Sequence, residues 1–169
     1  MNESDIFKNI EIAKKYLARF NLLLPDDEIL LECCYFPPFS EKAFYARVFC
    51  KNGTYKAHYA FTYCADFWGL ESRSQTFETV ENADKHNAKV GNVICKTLNL
   101  DSEKIHDLMR TVEKVESEYN EVCIDGISAY VRTFPNEREL YFLNTVGKNE
   151  IFDKLESAFS FAKNRNIFL

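Results

Sequence analysis

The sequence predicts an α+β domain in which amphipathic helices pack on one face of a mostly antiparallel sheet built from two β-meanders. Two turn signals, Asn52-Gly53 and Asp125-Gly126, each stand between β-rich runs. Both dipeptides can hold two consecutive residues at positive φ, as a two-residue type I′ hairpin turn requires. Apolar residues recur at helical spacing before, between and after these runs, which gives the order α, meander, α, α, meander, α.

The size of the chain agrees with one domain over residues 1–169. Its 169 residues are 46% hydrophobic, and a chain of this length buries about 70% of its unfolded surface in a single core. Only five glycines and four prolines are present, so the composition does not favour long linkers. We therefore expect ordered structure almost from end to end.

The first elements are a helix and a strand. Ile6, Phe7, Ile10, Ala13, Leu17 and Phe20 keep a helical period and predict a helix from Asp5 to about Phe20, with Ser4 as its N-cap. A strand is predicted from Glu28 to Phe36. It should stop at Pro37-Pro38, because proline has no N–H for a ladder.

The first hairpin has a predicted register. A two-residue loop at Asn52-Gly53 makes residues whose numbers sum to 105 into partners. This places apolar pairs on the core face: Phe44 with Phe61, Ala46 with Tyr59, Val48 with Ala57, and Cys50 with Tyr55. The opposite face, where Arg47 meets His58, is expected to face water or a polar partner.

The middle of the chain is predicted to be mainly helical. After Trp68 a strand is expected around 75–78, followed by a helix from Val80 to Leu98. Asp101 or Ser102 can cap a further helix that runs to about Tyr119.

The second hairpin follows from Asp125-Gly126, with Ile124 opposite Ile127 and Val122 opposite Ala129. A loop over Pro135 to Arg138 then leads to a strand from Glu139 to Val146. A last amphipathic helix is predicted from Asn149 to about Asn164.

Charge and hydropathy exclude several classes. The net charge of −5 argues against a nucleic-acid partner, since binding phosphates needs clustered Lys and Arg. No run of about 20 apolar residues predicts a membrane span, and the N-terminal residues do not form a signal peptide. The expected location is the cytoplasm, so the six cysteines (33, 34, 50, 64, 95 and 123) should be free thiols.

No residue pattern predicts catalysis, a metal or a cofactor. None of His58, His86 and His106 is followed by a second ligand three or four residues later in the chain. The cysteines lie in apolar contexts that disfavour a thiolate. We interpret His58 as a side chain that stacks or hydrogen-bonds near Arg47.

Two surface features are candidates for partner binding. Four carboxylates, Glu113, Glu116, Glu118 and Glu121, cluster at the end of a predicted helix and would suit a basic partner. Trp68 is either an interface anchor or a core residue, and both interpretations stay open.

The run EVCIDGISAYVRTF, the run ELYFLNTV and the terminal amphipathic helix, together with size and charge, resemble the immunity proteins of bacterial polymorphic-toxin and contact-dependent inhibition systems. The resemblance implies a protein-binding protein that blocks the active site of a toxin domain, with its acidic surface complementing a basic toxin. The alternative is a small-molecule-binding domain or enzyme whose pocket lies between sheet and helices, lined by Tyr55, Tyr59 and Tyr63.

Overall fold

A computed structural model describes residues 1–37, 43–62, 67, 93–120, 126–147 and 149–159. Within these ranges the helices are α1 (Glu3–Arg19), a 3₁₀ turn (Asp26–Glu28), α2 (Ser102–Lys114) and α3 (Glu150–Ala158). The strands are β1 (Leu31–Phe36), β2 (Ala43–Lys51), β3 (Thr54–Thr62), β4 (Ile94–Asn99), β5 (Glu118–Tyr119), β6 (Ile127–Thr133) and β7 (Glu139–Thr145). None of these helices is both long and apolar enough to span a membrane.

The seven strands form one sheet in the order β4-β3-β2-β1-β6-β7-β5. All neighbours are antiparallel except β5, which runs parallel to β7. The predicted α+β class and the mostly antiparallel sheet are therefore confirmed. Strands β1 to β4 form the first meander, whereas the second half contributes the β6–β7 hairpin and the short parallel strand β5.

The register of the first hairpin is confirmed along its whole length. Nine pairs join β2 to β3, from Ala43↔Thr62 to Lys51↔Thr54, and Arg47 lies opposite His58. Asn52 and Gly53 have φ values of 53° and 73°. These are the left-handed conformations that the Asn-Gly signal predicts.

Helices cover both faces of the sheet. Helices α2 and α3 pack on one face, where Phe44, Val48 and Phe61 meet Leu108 and Leu155, as predicted. Helix α1 packs on the other face, so the prediction of helices on one face only is wrong for α1. The physical reason is visible in β1, whose six residues are all buried and therefore need cover on both sides.

The two faces have separate cores. On the α1 face, the buried side of α1 meets alternate residues of β1, β2 and β6: Ile6, Ile10, Ala13 and Leu17 with Cys34, Tyr45 and Tyr130. Cys33, the neighbour of Cys34, belongs to the α2/α3 core. The two cysteines therefore point to opposite faces of the sheet, as successive residues of a strand do.

The helix ends differ in detail from the prediction. Helix α1 is capped by Asn2 and not by Ser4: the Asp5 N–H donates to the Asn2 side chain at 2.9 Å, and the Asn2 N–H donates to the Asp5 carboxylate at 3.1 Å. This reciprocal pair satisfies two N–H groups at once. Asp101 caps α2 as predicted, but α2 ends at Lys114, because Val115 is already extended.

The predicted helix from Val80 to Leu98 is wrong at its C-terminal end. Residues Ile94–Asn99 form strand β4, which pairs with β3 through contacts such as His58↔Thr97. Residues 80–92 lie outside the described residues, as do Trp68 and the strand predicted around 75–78. Helix α3 begins one residue after the predicted start at Asn149, which is its N-cap, and the predicted residues beyond 159 are likewise outside the described ranges.

The described residues test one predicted pair of the second hairpin. Ala129 lies between Tyr35 of β1 and Phe142 of β7, so both of its edges are occupied and the predicted pairing with Val122 is wrong. In the predicted Ile124–Ile127 pair, Ile124 belongs to residues 121–125, which lie outside the described residues. Asp125, the first residue of the predicted Asp125-Gly126 turn, also lies outside the described residues.

Candidate functional site

A row of polar side chains crosses six strands on the α1 face. The strand registers place its members side by side: Thr97, His58, Arg47, Glu32, Arg132 and Glu139. Charged residues this close to a core must find partners or lose their charge. We call this set the polar row.

The buried charges at the centre of the polar row have partners of opposite sign. Glu32 and Arg47 are each only 2% exposed. Glu32 accepts a hydrogen bond from the Tyr45 hydroxyl and lies 3.2 Å from Lys14 Nζ on α1. Arg47 donates to the Leu24 carbonyl and to the Asp26 carboxylate. These partners balance the buried charges, which is the condition for keeping them inside a fold.

Tyr45 stays a proton donor in this arrangement. Burial, followed by the negative charge of Glu32, raises the pKa of Tyr45 far above its usual range. The hydroxyl is therefore protonated at every physiological pH and can donate to Glu32. The centre of the row thus acts as a structural link between α1 and the sheet.

The other end of the polar row is also closed. Arg132 lies 3.3 Å from Glu139 and 3.6 Å from Glu137, with its guanidinium 4.6 Å from the centre of the Phe134 ring. The hydroxyls of Tyr130 and Tyr141 donate to the Glu139 carboxylate at 3.3 and 2.8 Å. The carboxylate therefore has several partners, and this cluster is well suited to hold β6 and β7 in register.

An open groove lies beside this cluster, at the β5 edge of the sheet. Its volume is about 600 Å³, and it is lined by residues from three segments: Asn2, Glu3 and Ser4 of α1, residues Ser117, Glu118 and Tyr119, and residues Tyr141 and Leu143 of β7. We call it the acidic groove. It is the strongest candidate for a functional site among the residues that the structure describes.

Local hydrogen bonds bring the three segments of the acidic groove together. The Tyr141 N–H donates to Ser117 Oγ at 2.9 Å, and the Asn120 N–H donates to the Leu143 carbonyl at 3.0 Å. The Met1 ammonium donates to the Asn144 side chain at 2.7 Å, which holds the start of α1 next to β7. The groove walls are therefore anchored to one rigid strand.

Aromatic rings form an exposed surface around this groove. Tyr119 is 57% exposed, and Phe7, on the next turn of α1, is 44% exposed. Phe7 meets Tyr130 and Tyr141 edge to face at ring distances of 6.1 and 6.0 Å. Burial and the hydrogen bond to Glu139 raise the pKa of Tyr141, so its hydroxyl remains neutral. Neutral aromatic rings next to carboxylates attract cationic groups.

The charge of the acidic groove has one sign. Glu3 and Glu118 line it, and none of the described residues that line it is Lys, Arg or His. Glu118 accepts one hydrogen bond, from the Asn149 side chain at 3.0 Å, which leaves its charge uncompensated by that contact. A concave surface with carboxylates of one sign concentrates positive counter-charge.

The predicted acidic cluster is divided by the fold. Glu118 lines the acidic groove, and Glu116 lies 3.3 Å from Arg138, which offsets its charge. Glu113 lines a separate shallow groove of about 770 Å³ on the exposed side of α2. Glu121 and Trp68 lie outside the described residues.

The sequence-based prediction missed Glu3, Tyr119 and Tyr141. The alternation in ELYFLNTV places Tyr141 and Leu143 on one side of a strand, so one wall could have been found. Glu3 is 114 or more residues away in the chain from the residues of the other two walls, and no local pattern indicates the contact.

The histidines and tyrosines of the other hypotheses have structural partners. His58 Nδ1 lies 2.8 Å from Thr97 Oγ1, and its ring stacks on Phe49 at 4.6 Å. Tyr55 and His106 share a hydrogen bond of 2.8 Å. Tyr59 packs against the α2/α3 core, whereas His86 and Tyr63 are outside the described residues. Within the described ranges, no three His, Cys, Asp or Glu side chains converge as a metal site requires.

Comparisons of the chain with protein-family models, curated proteins and solved structures gave no match.

Proposed function

We propose that this protein binds a basic protein domain through the acidic groove and neutralises it, as an immunity protein neutralises a toxin domain in the cytoplasm. The observation that carries this proposal is the combination of Glu3 and Glu118 with the exposed Tyr119 ring in a groove whose lining, in the part of the chain that the structure describes, contains no basic side chain. Aromatic anchors with a charged rim are typical of protein interfaces.

The mechanism is steric and electrostatic. Carboxylates at the groove attract Lys and Arg side chains of the partner over about 8–10 Å at physiological ionic strength, which accelerates encounter. The exposed rings of Tyr119 and Phe7 are then buried against the partner and lose their contact with water. The bound domain cannot reach its own substrate because the body of the sheet covers that surface.

The experiment uses the domain encoded by the reading frame adjacent to this gene, purified as an inactivated variant. Its affinity for the full chain is measured by titration calorimetry. The double variant Glu3→Gln/Glu118→Gln is compared with the matched double variant Glu103→Gln/Glu113→Gln, which removes two exposed charges from α2 instead. Thermal unfolding of each variant checks that it is folded.

The groove variant is expected to lose about tenfold in affinity, and the α2 variant should bind like the unmodified chain. Equal affinities for the two double variants would contradict the assignment to this groove. Absence of any complex, together with no protection of cells that produce the active domain, would contradict the proposed function.

A further inference from the structure

A second groove lies on the α1 face near the opposite edge of the sheet. It has a volume of about 440 Å³ and is formed by β2, β3 and β4 together with the connection between α1 and β1. Phe49, Lys51, Lys56, His58 and Thr97 contribute to its lining. We call it the hairpin groove, because the β2–β3 hairpin supplies most of its surface.

The hairpin register places the basic groups together. Lys56 pairs with Phe49 and His58 pairs with Arg47, so Lys56 and His58 lie two residues apart on the same face of β3, separated by about 7 Å along the strand. Lys51 lies two residues after Phe49 on that face of β2. Three basic side chains therefore share the rim of one concavity.

The imidazole of His58 is held in a fixed orientation. Its Nδ1 atom bonds with Thr97 Oγ1 at 2.8 Å, and its ring stacks on Phe49. These contacts leave Nε2 as the ring nitrogen for a ligand. A ring held from two sides is suited to donate one directed hydrogen bond.

The charges of the hairpin groove are unbalanced. Lys51 and Lys56 face one lining carboxylate, Glu28, and neither lysine forms an ion pair within the part of the chain that the structure describes. Arg47, the neighbour of His58, is buried and already paired with Asp26. The lysines are thus the groups with unused charge.

We propose that the hairpin groove binds a phosphate-type oxyanion, with Lys51 and Lys56 balancing its charge and His58 Nε2–H donating a hydrogen bond. Charge-assisted hydrogen bonds to oxyanions are about twice as strong as neutral ones. The site differs from the acidic groove in sign and position, so it does not depend on the proposed function.

Binding should be coupled to protonation of His58. Burial, followed by the positive charge of Lys56, lowers the pKa of His58, so the free groove holds a neutral imidazole near neutral pH. A bound dianion places negative charge next to the imidazole and therefore raises the pKa of His58. The affinity for the dianion itself, corrected for the protonation of free phosphate, should therefore increase as the pH falls, with Lys51, Lys56, Glu28 and Cys50 as the other titratable groups that line the groove.

The test follows the His58 imidazole by NMR while inorganic phosphate is added to the full chain. We expect saturable shifts and a higher His58 pKa in the bound state. Lys56→Gln should lower the phosphate affinity about tenfold and abolish the rise in pKa. Lys96→Gln is the matched control, since Lys96 is an exposed lysine on the neighbouring strand that pairs with Tyr59 on the other face.

Glycerol 3-phosphate is titrated in parallel. Tighter binding of the ester than of inorganic phosphate would assign the site to phosphorylated metabolites, and equal binding would assign it to free phosphate. No phosphate-dependent change at His58 at millimolar phosphate, or equal effects of the Lys56 and Lys96 substitutions, would overturn the proposal.

Discussion

At the residue scale, two glycines of the chain meet different demands. Gly53 has φ +73° and open space where a Cβ would lie, so its role is conformational. A Cβ on Gly126 would instead overlap the backbone carbonyl of Asn144. The β6–β7 register shifts between Ile127 and Ala129 at the same place. Gly126 is thus required for close approach of two backbones.

Gly126→Ala is predicted to destabilise the fold more than Gly53→Ala. The first substitution forces rigid backbones apart, which costs about 2–3 kcal/mol, whereas the second only places a side chain in the left-handed region, at about 1 kcal/mol. Urea unfolding of both variants measures the difference. A Gly126→Ala variant as stable as Gly53→Ala would show that the β6–β7 approach is adaptable.

The hydrogen bond from Tyr45 to buried Glu32 gives a second prediction at the residue scale. Tyr45→Phe removes a donor from a carboxylate that water cannot reach, and should cost about 1–3 kcal/mol of unfolding free energy. Tyr55→Phe is the control, because it removes a hydroxyl from the exposed bond with His106 and should cost under about 1 kcal/mol. Equal losses in denaturant unfolding would mean that Glu32 is compensated by Lys14 alone.

At the scale of elements, turn dipeptides, helix caps and apolar periodicity predicted those elements whose contacts are close in sequence. The β2–β3 register followed from Asn52-Gly53 alone, and α2 followed from the Asp101 cap and its apolar stripe. Strand β4 was mistaken for the end of a helix because Ile94 and Leu98 are four residues apart. Its true partner is the edge of β3, which only the assembled sheet provides.

The candidate site, too, could be predicted only where its residues are close in sequence. Glu118 was identified from its acidic neighbours, but the acidic groove joins segments near residues 2, 118 and 142. Contacts between such distant segments depend on how α1 crosses the sheet, and periodicity carries no information about that crossing. Likewise, Asp125-Gly126 predicted a hairpin, whereas β6 pairs with β1 and β7 on its two sides.

The contact between α2 and α3 gives a prediction on pH dependence. Lys154 donates to Asp107, which lowers the pKa of Asp107 and raises the pKa of Lys154. The stabilisation from Asp107 is therefore present above its unfolded-state pKa and is lost as the pH falls through the folded-state pKa. The stabilisation from Lys154 is present below its unfolded-state pKa and is lost as the pH rises through the folded-state pKa.

Lys154→Gln should consequently lower stability by its full amount between about pH 4 and pH 10. The effect should disappear as the pH falls through the lowered pKa of Asp107 or rises through the raised pKa of Lys154. Added salt should reduce the difference, because the pair is at the surface. The measurement is urea unfolding of the Lys154→Gln variant and of the unmodified protein at acid and neutral pH. A stability difference that persists at about pH 2 would assign the effect to lost packing of the lysine stem.

At the scale of the whole molecule, one sheet has a core on each face, and each core contains a cysteine whose reactivity can be measured. Cys33 lies in the α2/α3 core and Cys34 in the α1 core. Burial raises the pKa of both thiols, whereas Cys50 is exposed. Reactivity requires an accessible thiolate, so the three cysteines should separate into two classes.

Native protein treated with iodoacetamide should be modified first at Cys50, with Cys33 and Cys34 labelled only on unfolding and at matching rates. Matching rates are expected because the two cores share β1, so neither can open alone. Peptide mass spectrometry over time in low denaturant gives the rates. Faster labelling of Cys34 than of Cys33 would show that α1 leaves the sheet before α2 and α3.

The charges of the α1 face are separated across the sheet. The acidic groove lies at the β5 edge, and the hairpin groove with its lysines lies near the β4 edge. Under the proposed function, a basic partner that approaches this face would be attracted to one end and repelled from the other, which would orient the complex before contact.

The most direct test of the proposed function is an amide NMR map of the full chain with the inactivated partner domain bound. The proposal predicts that shifts concentrate at residues 2–7, 117–119 and 141–143. The amide signals of the exposed residues in 103–113 of α2 should stay where they are in the spectrum of the free protein. Shifts confined to that surface of α2, or spread over the hairpin groove with the acidic groove unchanged, would contradict binding through the acidic groove.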